Sequence, residues 1–186
     1  MKLPFEERKP LVLVKRQAKT DQKYGSRPEQ RLVKDIISYG IVNVNKPAGP
    51  TSHQVSAYVK RILGIEKSGH SGTLDPNVTG VLAVGLGRAT RIVEYLLTAV
   101  KEYVCLMHLN DDAAAGKIYN VMKEFSGKIK QLPPLRSAIK RQLREREIYY
   151  LDILEIEGRD VLFRAGCQAG TYIRKLVHDM GKSLGI

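Results

Sequence analysis

One carboxylate in this chain is set apart from the others by its surroundings. Asp75 lies in Gly69-His70-Ser71-Gly72-Thr73-Leu74-Asp75-Pro76-Asn77-Val78-Thr79-Gly80, a glycine-bounded loop that runs straight into the apolar stretch Val81 to Leu86. Pro76 disfavours helical geometry at Asp75, so that residue is expected to be extended or to open a turn. Gly69, Gly72 and Gly80 permit backbone conformations and close approaches that a side chain would block. Such a loop can hold a carboxylate against something bulky. The competing reading is an ordinary surface turn, because Asp-Pro-Asn is common turn chemistry. Taken alone, these residues favour the turn.

The elements that would position this loop can be followed along the chain. Residues 1–38 read as a basic extension carrying ten Lys or Arg, with one short strand at Leu11 to Val14 and a loop through Tyr24 to Pro28. A short helix is expected from Arg31 to Tyr39, and a strand from Ile41 to Asn45. A second helix starts at Pro50-Thr51-Ser52, capped by Thr51 or Ser52, with Val55, Val59, Ile62 and Leu63 as its apolar stripe and Gly64 as its stop. A buried strand follows the Asp75 loop, then a helix near Arg88 to Leu97, a strand from Lys101 to Leu109 and a helix from Lys117 to Phe125. Pro133-Pro134 breaks the chain. Strands near Ile148 to Glu157 and Asp160 to Cys167 meet at Gly158 as a hairpin. Thr171 is read as the cap of a last amphipathic helix, with Ile173, Leu176, Val177, Met180 and Leu184 on one side. Strands and helices without strict alternation indicate an α+β or mixed α/β domain.

Composition narrows the chemistry. The 186 residues include 31 Lys plus Arg against 19 Asp plus Glu, a formal charge of +12, which makes a polyanion the first partner to consider and nucleic acid a better one than membrane. No apolar run approaches the ~20 residues of a membrane span, and no amino-terminal signal pattern is visible. Cys105 and Cys167 stand in apolar strand-like surroundings without a Cys-x-x-Cys pair, and His53, His70, His108 and His178 have no ligand spacing. The composition permits a cofactor-free enzyme without a metal site, in a reducing cytoplasm.

Five blocks in order tip the reading of Asp75 from turn to site. The Gly69–Gly80 loop with Val81 and Leu82 resembles the signature of the pseudouridine synthases of the bacterial tRNA synthase B type and of dyskerin. Gly40 to Lys46 with Pro47, Gly49, Thr51 and Ser52 resembles the first motif of that family. Lys101-Glu102-Tyr103 resembles its tyrosine segment, and Gly170-Thr171-Tyr172-Ile173-Arg174 with Leu176 its third motif. The block from Gln131 through Pro133, Pro134, Ser137 and Ala138 to Lys140 is also typical of the family. Together the blocks cover roughly residues 39–186, and an ordered set is far more specific than any one motif.

The resemblance implies a pseudouridine synthase fold, with a mixed, largely antiparallel sheet flanked by helices around a central RNA-binding cleft. It implies isomerisation of uridine in RNA, a reaction with no redox change and no external group, hence no metal or cofactor. Asp75 would be the catalytic carboxylate, whether attacking the base, attacking the sugar or abstracting a proton. Arg174 would pair with it and keep it ionised, although by itself it reads as a solvated arginine beside an amphipathic helix. Tyr103 would stack on the flipped uracil, against core packing as the alternative. His70 would fill the space that the uridine vacates. Lys46 would brace the loop or meet RNA phosphate. Leu176 would wall the uracil pocket or serve the core, and Tyr172 would contact substrate. Arg136, Lys140, Arg141 and Arg144 would meet RNA phosphates, on a mobile clamping loop placed at about Lys140 to Glu147.

Within the family, Tyr24 to Glu29, Pro134-Leu135-Arg136-Ser137, Val78 and Lys101 to Cys105 lean towards the dyskerin type, its archaeal form above all. That type works with an H/ACA guide RNA and small ribonucleoprotein partners on rRNA, and possibly tRNA, with neither DNA nor membrane as a partner. The chain is expected to comprise the basic extension, 1–38, and a catalytic domain, 39–186, truncated at its carboxyl end and lacking the RNA-anchoring PUA domain. A stand-alone tRNA synthase and a non-catalytic RNA-binding module are the alternatives.

Overall fold

The alternation of Val81 to Leu86 forms the strand on which the first sheet is built. In the computed structural model, which describes residues 2–17, 21–133 and 141–186, Leu11–Leu97 make one compact unit and Met1–Pro10 with Thr98–Ile186 a second. The division therefore does not follow the composition boundary at residue 38. The first unit holds α1 (Val33–Ser38), β1 (Ile41–Lys46), α2 (Ser52–Ile62), β2 (Ser68–His70) and β3 (Gly80–Leu86), with the sheet order β1-β3-β2 and both pairs antiparallel. Leu82, Val84 and Leu86 point every second residue into a core shared with Val55 of α2. Thr51 caps α2, accepting from the Gln54 amide at 3.2 Å while Gln54 Oε1 accepts from the Thr51 amide at 2.8 Å, a reciprocal capping box. A single-turn helix and α3 (Val93–Thr98) follow β3.

The second unit is a four-stranded antiparallel sheet of β4 (Lys101–His108), β5 (Gly127–Gln131), β6 (Arg144–Glu157) and β7 (Asp160–Cys167), in the order β4-β7-β6-β5. The β6–β7 hairpin closes at Gly158, whose φ is +55°. Met107, Phe163, Ala165 and Cys167 on its inner face pack with Ile118, Val121 and Met122 of α4 (Ala115–Glu124) and with Leu176 and Met180 of α5 (Ile173–Leu184). On the other face Tyr150 donates to Glu102, Arg164 lies 5.4 Å from the Tyr150 ring centroid and donates to Asp152 at 2.9 Å, while Val104 and Leu106 of β4 are exposed. The expectation of largely antiparallel strands flanked by helices holds. Every strand pair among the described residues is antiparallel, and the strands divide between two sheets.

Several expectations are corrected. Leu11 to Val14 form no strand and all four side chains are exposed; β-propensity without a neighbouring strand leaves the ladder unmade. Ile62 is 78% exposed and leaves the α2 stripe, because the helix runs past the edge of its core. Thr171 does not cap α5: its hydroxyl donates to the Gln168 carbonyl at 2.7 Å, and Tyr172 occupies the cap position. β6 starts at Arg144, four residues earlier than expected, since Arg144-Glu145-Arg146-Glu147 alternate as a strand against β5, with Lys128 and Glu145 paired at 3.2 Å. That pairing removes 144–147 from the expected loop.

Both cysteines are free and buried, and desolvation pushes their thiols from 9.0 up to about 11. The unfolded chain would release these protons earlier than the folded one. The associated stability is therefore present below about pH 9 and lost as pH rises towards 11. We expect neither Cys105 nor Cys167 to react with a thiol reagent at pH 8 until denaturant is added, after which both should. Prompt labelling of the native chain would refute this packing.

Candidate active site

Asp75 is held at the tip of the β2–β3 hairpin by contacts on both sides of it. The Val78 amide donates to the Asp75 carbonyl at 3.0 Å, closing a turn in which Pro76 and Asn77 are the central residues. Before Asp75, Ser52 at the start of α2 takes the Leu74 backbone twice: its Oγ accepts from the Leu74 amide at 2.9 Å and donates to the Leu74 carbonyl at 3.2 Å. After Asp75, the Gly49 amide donates to the Pro76 carbonyl at 2.8 Å. Gly72 and Gly80 bound the loop with φ of +134° and +147°, conformations that an L side chain rarely adopts. Gly69 instead lies within β2 with ordinary strand geometry. The Asp75 side chain is exposed.

Lys46 completes this arrangement from below. It is the last residue of β1, paired with Gly80 where the loop re-enters the sheet, and it is fully buried. Its Nζ donates to the carbonyls of Pro47 at 2.8 Å, Pro76 at 3.1 Å and Val78 at 2.8 Å, so each N–H of the ammonium has an acceptor. Of its two expected roles, this geometry is the brace. A buried ammonium committed to three carbonyls has no donor left for a phosphate. His70 ends β2, half-buried, and its Nδ1 donates to the Gly72 carbonyl at 2.7 Å, since a carbonyl can only accept. That bond places the proton on Nδ1 and turns the ring into part of the loop.

The remaining candidates belong to the second unit. Tyr103 on β4 is half-buried beside the core, and burial pushes its phenol up to about 12, so it keeps its proton at neutral pH. Arg174 is exposed in the first turn of α5. Leu176, at the end of the first turn of α5, is fully buried in the core and presents no accessible surface to a uracil; core packing is the reading its surroundings support. Arg141 is exposed, Arg144 is half-buried in β6, and Arg136 and Lys140 lie outside the described residues. Gln131, which the sequence offered only as the first residue of a family block and without a role, is 2% exposed at the end of β5. Its amide grips the backbone of Tyr172, donating to the carbonyl at 3.2 Å and accepting from the amide at 3.0 Å. Gln131 thereby sets the start of the helix that carries Arg174.

Residues 60–173 match the model of the TruB family pseudouridylate synthase, N-terminal domain, and residues 2–56 match the DKCLD domain. The chain belongs to the TruB family. It is 55% identical over its whole length to "Probable tRNA pseudouridine synthase B" of Methanopyrus kandleri, and 57% identical over 99% of its length to the protein of that name from Thermococcus kodakarensis. It spans 54% of each of these relatives, about half their length. Among solved structures it is similar to a chain of a Cbf5-Nop10-Gar1 complex (TM-score 0.90, 56% identity), covering 97% of this chain and 55% of that one. A second is an H/ACA RNP bound to a substrate RNA containing 2'-deoxyuridine (TM-score 0.86, 52% identity), covering 97% and 54%. These likenesses give the chain the pseudouridine synthase fold.

The Lys46 brace makes a quantitative expectation. Lys46→Met keeps the side-chain volume but leaves three carbonyls without their donor, and should cost about 2–4 kcal/mol in urea unfolding. Lys46→Arg should recover little, because a planar fork cannot send three donors from one nitrogen to three separate carbonyls. A loss within about 0.5 kcal/mol for Lys46→Met, the range of ordinary surface changes, would show that the loop stands without it.

Proposed function

We propose that the chain carries the uridine-isomerising centre of an RNA pseudouridine synthase, with Asp75 as the carboxylate that meets the target nucleotide. The observation carrying this reading is the setting of Asp75: an exposed carboxylate on a turn whose flanking backbone is tied to Ser52, Gly49 and Lys46. Membership of the TruB family supports it. A group held this way loses little freedom when it engages a substrate. The isomerisation breaks the bond between N1 and the sugar and forms one from C5 to the same sugar carbon. The C5 proton leaves and N1 gains one, so atoms and electrons balance within the nucleotide. Tyr103, which keeps its proton at neutral pH, suits stacking and hydrogen-bond donation rather than acting as a base. Arg174 is proposed as the cation that orients Asp75, and His70 as the group that takes the place of the flipped uridine. Tyr172 and the exposed Arg141 are proposed to contact the RNA.

Guide dependence is the second part of the proposal. The DKCLD match and the likeness to chains from H/ACA assemblies support an H/ACA guide RNA and the small proteins of such particles as partners, and rRNA is the substrate proposed. The curated relatives' name supports a tRNA substrate as the alternative. No helix among the described residues is long and apolar enough to cross a membrane. The buried free thiols fit a reducing cytoplasm.

Release of tritium from C5-labelled uridine RNA, with and without guide RNA and partner proteins, tests both parts. Asp75→Asn should lower turnover at least about a hundredfold while RNA affinity stays within about threefold. Near-normal turnover in that variant would sink the catalytic assignment. Arg174→Lys should remain nearly as impaired as Arg174→Ala, because the guanidinium fork and not charge alone would orient the carboxylate. Normal rates for Arg174→Lys would return the residue to a solvated helix position.

A further inference from the structure

A cavity of about 330 Å³ opens on the Leu11–Leu97 unit between one face of α2 and β2. His53, Ser56 and Lys60 line it from the helix at positions i, i+3 and i+7, and Lys67, Ser68 and His70 line it from the strand side. Its serines define its chemistry. Ser68 Oγ donates to the Ser56 carbonyl at 3.0 Å, so in the contact between the two hydroxyls, also 3.0 Å, Ser56 is the donor. Both hydroxyl protons are spent inside the protein, and what the pair has left to offer is lone pairs. A bare anion is therefore unwelcome at these oxygens, whereas a hydroxyl or amino group can donate to them. Exposed Lys60 and Lys67 supply cations at the rim. Glu66, also at the cavity, adds a second acceptor for a hydroxyl and weighs further against a free anion.

Acceptors inside and cations outside match a nucleotide, with sugar hydroxyls inward and phosphate outward. The volume lies at the small end of the ligand-pocket range, about 300–1,000 Å³, and suits one such unit. We propose that this cavity is a nucleotide subsite that takes one residue of the bound RNA, its ribose hydroxyls on the Ser56–Ser68 pair and its phosphate on Lys60 and Lys67. The inference rests on the RNA reading above and names a second contact for the same substrate. His70 lines the cavity and sits on the same hairpin as Asp75, five positions before it, so the nucleotide held here flanks the target uridine. A hydroxyl-reading pocket also separates RNA from DNA, which lacks the 2'-hydroxyl.

Two measurements on the chain test the proposal. In NMR titrations, uridine 5'-monophosphate should shift the ring resonances of His53 and His70, and inorganic phosphate at equal concentration should not. In fluorescence anisotropy with a single-stranded RNA, Lys60→Glu with Lys67→Glu should weaken binding at least about tenfold and flatten the log–log salt slope by about 1.4, two contacts at roughly 0.7 each. The control Lys15→Glu with Lys23→Glu makes the same change of net charge at exposed sites elsewhere in the unit, and should alter affinity less than about threefold. Equal losses from the two double variants, or phosphate shifting the histidines as the nucleotide does, would overturn the subsite. A parent chain that binds RNA while the Lys60/Lys67 variant keeps its affinity and slope would overturn the subsite alone. A parent chain that binds no RNA would overturn the functional reading along with it.

Discussion

A single buried ammonium ties together two segments some 30 residues apart in sequence. Lys46 joins the end of β1 to both sides of the turn that presents Asp75, through the carbonyls of Pro47, Pro76 and Val78. Moving a charge out of water is costly unless every donor is met, so the brace works as a set or not at all. Losing one acceptor would leave an ammonium short of a partner in a dry place. That coupling gives the loop its definition: the backbone about Asp75 cannot rearrange without breaking bonds to a charged group, which are stronger than neutral ones. Ser52 does the matching work on the other side, and does so from the first turn of a helix whose own cap is supplied by its neighbour Thr51.

This division of labour explains what could and could not be read from the sequence. The α2 cap, the apolar run of β3, the Gly158 hairpin and the α5 stripe were legible because each has a local pattern or a local punctuation mark. Thr51 and Ser52 were both offered as the cap, but nothing local says that the one left over reaches Leu74, 22 residues away. Lys46 reads as a surface residue because lysine usually is one; its burial depends on carbonyls brought in by a distant loop. Gln131 was hidden for the same reason, since its partner Tyr172 is 41 residues on. β2, with three residues, is too short to show a period. Arg144 to Glu147 were placed in the clamping loop by the resemblance, although their alternation marks a strand.

The site itself was legible in outline and not in function of each part. The Asp75 loop declared itself through the order of the family blocks, and its composition alone favoured a plain turn. Leu176 carried two readings that one helix stripe could not separate, and its full burial supports core packing. Tyr103 keeps both of its possibilities: it borders the core and retains partial exposure, which is the condition for an aromatic ring that is fixed on one side and available on the other.

The two edges of the four-stranded sheet differ in how they face water. β5 ends the sheet with Lys128 and Lys130, charges that resist the approach of another strand. β4, at the opposite edge, carries Val104 and Leu106, 68% and 67% exposed, on a strand eight residues long. An edge with open backbone groups and apolar side chains is where chains join edge to edge. Among the described residues the two borders thus differ in kind: β5 presents a pair of lysines, whereas β4 presents two neighbouring apolar side chains set between Glu102 and His108.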